Sequence, residues 1–147
     1  MTKDTGSHAS ALARRHELFG WRALLVFLTL GIALEALHGL KVGWYLDVSN
    51  EARRFMWTLS HAHGTLVALV NLAFAFSLPR LSGASARELR VASRAFLIAA
   101  ILLPAGFFLG GLVTHAGDPG LGVLLVPVGA LALLVGVAQT ARLVARH

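Results

Sequence analysis

Trp57–Phe76, WTLSHAHGTLVALVNLAFAF, decides the fold. It holds no Asp, Glu, Lys or Arg. As an α-helix rising about 1.5 Å per residue, it crosses about 30 Å of hydrocarbon. Two histidines, His61 and His63, stand one turn inside its mouth, where ionisable side chains are expensive. The stretch therefore raises two expectations: a membrane span, and a function at its end.

Three more apolar runs surround it, so the expected spans are 20–40, 57–78, 91–113 and 121–144. Each is close to the ~20 residues a bilayer requires. The chain of 147 residues is 56% hydrophobic and only 14% charged, with a mean hydropathy of +0.72. Soluble domains carry about 25% charged residues, so most of this chain has no face for water. The fold class expected is all-α, a single-domain integral membrane four-helix bundle. The first run is too long for a cleaved signal peptide, and no small-residue cleavage site follows it.

Lys and Arg set the expected orientation. Ten of thirteen lie on the side of the termini and the 79–94 loop; Lys41, Arg53 and Arg54 lie opposite. The positive-inside rule then makes both termini cytoplasmic and points to a multi-pass protein of a bacterial inner (plasma) membrane. The net charge of +6 does not imply nucleic acid, because the basic residues flank apolar runs and form no stripe on a soluble face. The absence of cysteine excludes disulfides, thiolate metal sites and thiol nucleophiles from this chain. Two methionines argue against a methionine-rich copper(I) site.

The acidic and histidine residues of the spans gather at the expected non-cytoplasmic end. Glu35 and His38 close the first run, His61 and His63 open the second, His115 ends the third, and Asp118 follows in the turn. Glu35 and His38, at i and i+3, share a helix face. His61 is in phase with Gly64, Thr65, Ala68 and Asn71, a small and polar face suited to helix packing. His63 is in phase with Leu66, Val67, Val70 and Phe74, so it is expected to point toward lipid or headgroups. Trp21, Trp44, Tyr45 and Trp57 are expected in interfacial aromatic belts. Ser49 or Asn50 is a candidate N-cap for the second helix, with Trp44, Tyr45, Phe55 and Met56 as a cover over the site. Gly122, Gly129 and Gly136 form a stripe for close packing. His8, His16 and His147 are expected to be solvated tail residues.

ExxH on one helix, HxH on the next and His on a third form a donor set suited to iron, copper, zinc or manganese. Glu35, His38, His61, His115 and His63 are the candidate ligands, with Asn71, Thr65 and Asp118 around them. Haem is the other candidate cofactor, held by two imidazoles, with Gly64, Ala68 and Gly111 leaving room for the ring. One ExxH cannot complete a ferritin-like two-metal site; a homo-oligomer could supply a second.

SHAHGTLVALVNLAFA, Ser60–Ala75, resembles the His-Ala-His helix of small membrane proteins similar to haem-copper oxidase subunit I. That resemblance covers one helix in four and implies a haem-ligand role for His61 or His63. A looser similarity is to hydroxylaminobenzene mutase-like proteins, also short four-span chains. Three functional classes are thus expected. One is a metal- or haem-binding, redox-active membrane protein. Another is an accessory subunit of a larger membrane complex with a metal-free polar network. The last is a membrane isomerase using Glu35 and a histidine as acid and base.

Overall fold

A computed structural model describes residues 2–47, 51–81 and 83–146, with side chains described from Ser7 onward. It contains four long helices: α1 (Thr2–Gly39), α2 (Glu51–Ser77), α3 (Ala86–Leu112) and α4 (Leu125–Val144). Short 3-10 turns at Leu78–Leu81 and Leu121–Leu124 lead out of α2 and into α4. All four helices are long and apolar enough to cross a membrane. The proposed N-cap at Ser49 or Asn50 lies outside the described residues.

The helices neighbour one another in chain order: α1 on α2, α2 on α3, α3 on α4, with only slight contact between α1 and α3. Among the described residues, α1 and α4 share no extended interface and meet only in the cluster at the termini. Both termini lie at one end, where Ala9 and Leu12 of α1 meet Phe74, Leu78, Leu89 and Leu143 in one buried cluster. Opposite, at the far end, Leu34, Tyr45 and Trp57 form another.

α1 begins well before its apolar run. Its first half is rich in Ala, Leu and Arg, all good helix formers. Ala9, Leu12, His16, Gly20, Leu24, Phe27, Gly31 and Leu34 recur at helical spacing as one stripe. That stripe meets α2 in an antiparallel register: Gly20 at Leu72, Leu24 at Ala68, Phe27 at Gly64, and Gly31 at His61. The teeth alternate. A Cβ added at Gly64 would land on the Phe27 ring, and one added at Gly31 on the His61 imidazole. Inside a bilayer, close approach of this kind replaces the hydrophobic drive between helices.

α3 and α4 are joined by the glycine stripe, as expected. A Cβ at Gly122 would meet Leu109, at Gly129 Leu103, and at Gly136 Phe96. Each glycine is filled by the facing helix. α3 starts with a capping box in which the Ser85 side chain accepts from the Glu88 N–H and the Glu88 carboxylate accepts from the Ser85 N–H. The same carboxylate receives Arg146 from beyond α4 at 2.8 Å. Pro104 stands inside α3, and Ser60 of α2 donates to its carbonyl at 2.9 Å.

Candidate functional site

The structure divides the expected far-end cluster. Glu35, His38 and His61 line one cleft of about 1090 Å³ between α1 and the start of α2. Leu28, Gly31 and Ile32 form its apolar wall, Glu51, Arg54 and Thr58 its polar rim, and Gly117 and Pro119 of the α3–α4 turn reach its edge. Among the described residues, Glu35 makes no ion pair. Arg54 is held by Glu51 at 3.1 Å.

His61 is the best-defined member. Its Nδ1 lies 2.8 Å from the Phe27 carbonyl oxygen. A carbonyl only accepts, so Nδ1 carries the proton, and in the neutral ring Nε2 is left as a bare acceptor. Gly31 makes this possible, because a side chain there would occupy the ring's place. The expected inward orientation of His61 is therefore observed.

His63 corrects its expectation. Rather than turning to lipid, it is half-buried, donates from Nδ1 to the Leu59 carbonyl at 2.9 Å and packs on Phe107 of α3 with ring centroids 4.7 Å apart. Its neighbour in phase with the greasy face is another helix, not the bilayer. His115 stays outside the cleft. It and Asp118 are exposed and tied by reciprocal backbone bonds of 2.9 and 3.1 Å across the turn, with Ala116 and Gly117 at positive φ. Thr65 is half-buried in α2, its Oγ1 without a partner among the described residues.

Among the described residues, no three of His, Asp and Glu are grouped so as to hold one metal ion. The room expected for haem is also taken: Phe27 fills the notch at Gly64, and Trp57 the notch at Gly111. The five expected ligands therefore do not converge on one point among the described residues.

Trp57 departs from its interfacial assignment too. It is only 9% exposed, stacks on Phe108 at 5.5 Å and Tyr45 at 6.3 Å, and donates from Nε1 to the Phe108 carbonyl at 3.1 Å. Arg53 ties the connection down through the Trp44 carbonyl at 3.1 Å and the Gly111 carbonyl at 3.3 Å. These residues plug the far end between α1, α2 and α3. Trp21 is 58% exposed.

The largest correction is His16. It is fully buried. Its Nδ1 lies 2.7 Å from Asn71 Oδ1, and its Nε2 2.8 Å from Ser93 Oγ. Asn71 donates through Nδ2 to the Val67 carbonyl at 2.7 Å, which orients its oxygen toward the imidazole. Nδ1–H then donates to Asn71, and the neutral ring's Nε2 accepts from the Ser93 hydroxyl. One imidazole joins α1, α2 and α3 and meets the Phe74 ring edge-on at 4.9 Å. Asn71 thus belongs to the termini end, not to the far-end cleft. The missed signal was phase: His16 sits on the α1 stripe with Leu12 and Gly20, whereas its neighbours Arg14, Arg15 and Glu17 suggested solvent.

Compared with family models, curated proteins and solved structures, the chain matches none of them.

Proposed function

We propose that this multi-pass membrane protein binds a small molecule in the cleft between α1 and α2, at the end that the Lys and Arg distribution makes non-cytoplasmic. His61 supplies an acceptor nitrogen, with Glu35 and His38 as further polar contacts. The observation that carries this reading is the tautomer of His61. The Phe27 carbonyl commits Nδ1–H, which leaves Nε2 as a base or acceptor in a cleft that also holds Glu35, a carboxylate with no ion pair among the described residues. An intramembrane carboxylate with no partner is costly, and a cleft with a few polar groups on apolar walls is the usual form of a small-molecule site.

A metal-dependent version of the same site has one supporting feature. Metal-binding imidazoles commonly donate their other nitrogen to a carbonyl, as His61 does, and Glu35 and His38 form an i, i+3 pair beside it. Protein purified in mild detergent, analysed by native mass spectrometry, elemental analysis and absorption, tests both versions. We expect a co-purifying small molecule that Glu35→Gln releases while the protein remains inserted and folded. Stoichiometric metal lost in Glu35→Gln selects the metal version. Retention of whatever is bound, unchanged in Glu35→Gln and His61→Gln, overturns the site.

A further inference from the structure

We propose that the ligand of this cleft is an amphiphile with a primary-ammonium headgroup on an apolar chain, entering sideways from the bilayer; this rests on the cleft being the binding site. Two observations converge on that chemistry.

The first is the shape of the opening. α1 packs along one side only, and α4 does not cover it. The cleft's lower wall is therefore on the membrane-facing surface, with Leu28 51% and Ile32 71% exposed. Polar residues occupy only the upper part. Glu35 lies one turn beyond Gly31 and Ile32, with His38 beyond that, so the cleft grades from hydrocarbon to polar along α1. A water-soluble ligand would gain nothing from the lower half, whereas an acyl or prenyl chain fits it.

The second is the sign of the polar groups. Glu35 offers a carboxylate without an ion-pair partner among the described residues, and His61 a bare Nε2. The cation of the rim, Arg54, is engaged by Glu51 at 3.1 Å. Thr58 spends its hydroxyl hydrogen on the Arg54 carbonyl at 2.9 Å and so presents lone pairs as well. The cleft's lining carries two carboxylates, Glu35 and Glu51, against one guanidinium, Arg54. A headgroup with several N–H donors and a positive charge answers it, with one N–H to Glu35 and another to His61. An anionic headgroup would meet the Glu35 and Glu51 carboxylates and only one cation, Arg54, which Glu51 already shares.

Two sources carry this chemistry: an amine-headed phospholipid of the bilayer, and a free long-chain amine. The test uses full-length protein in a non-ionic detergent, with binding read by native mass spectrometry and thermal shift. The probes are dodecylamine, dodecanol, dodecanoate, phosphatidylethanolamine and phosphatidylglycerol. We expect dodecylamine to bind at least ~10-fold more tightly than dodecanol, about 1.4 kcal/mol, and Glu35→Gln to erase that difference. Preference for phosphatidylethanolamine over phosphatidylglycerol assigns the bilayer source. Binding of dodecylamine with no phospholipid preference assigns the free amine. Equal binding of amine and alcohol, both abolished by Ile32→Arg, keeps the cleft and overturns the ammonium assignment. Binding indifferent to both Glu35→Gln and Ile32→Arg overturns the cleft as well. The amine–alcohol comparison on the unaltered protein decides the matter even if Glu35→Gln fails to fold.

Discussion

At the scale of single residues, His16 and His61 behave differently. His16 has both nitrogens satisfied inside the protein, so it is a structural hub. His61 has one satisfied and one free. Truncating His16 removes two interhelical hydrogen bonds, each worth about 0.6 kcal/mol in membrane proteins, and strands Asn71 and Ser93. Stranded buried groups cost about 1–3 kcal/mol. His16→Ala is therefore expected to destabilise by about 2–4 kcal/mol in detergent unfolding, with the stranded groups contributing most. His16→Leu restores volume but not the bonds, so it should remain destabilised. Combining it with Asn71→Leu and Ser93→Ala removes the stranded groups and should recover much of the loss. A triple variant no more stable than His16→Leu would show that packing on Phe74, not polar pairing, is what His16 provides. Gly64→Ala places a methyl group on the Phe27 ring and is expected to cost about 1–3 kcal/mol as overpacking, read from the same unfolding curve.

At the scale of elements, the spans were legible because hydrocarbon thickness dictates length, and the α3–α4 seam was legible because glycines at heptad spacing have few other uses in a membrane helix. The start of α1 was not. Hydropathy ends at Gly20, yet the helix continues to Thr2, because its first half is held by one stripe rather than by apolar composition. The site was legible in part. Depth placed Glu35, His38, His61, His63 and His115 in one layer, but depth does not fix azimuth, and three helices turn these groups in different directions. Gly129→Leu should wedge α4 from α3 and lower the free energy of unfolding by about 1–3 kcal/mol. Ser85→Ala removes the α3 cap and should cost about 1 kcal/mol. Amide exchange localised to the first turn of α3 would confirm that the loss is at the cap, whereas faster exchange throughout the helix would refute it.

At the scale of the whole molecule, four antiparallel helices put both termini at one end, and the Lys and Arg bias predicts which side of the membrane that end occupies. Reporter fusions at the C-terminus and within the 114–120 turn should register opposite compartments, the C-terminal one cytoplasmic. A C-terminal reporter active outside would move the cleft to the inner leaflet. The alternating teeth between α1 and α2 carry one more consequence. Gly20, Phe27 and Gly31 each fit a partner of complementary size on α2. A slide of one turn, about 5.4 Å, would set bulk against bulk at several places together. α1 is thereby denied piston motion along its axis. Movement of α1 against α2 is left to sideways rocking about the His16 junction, so a restraint on lateral tilt, not on axial displacement, is what would arrest it.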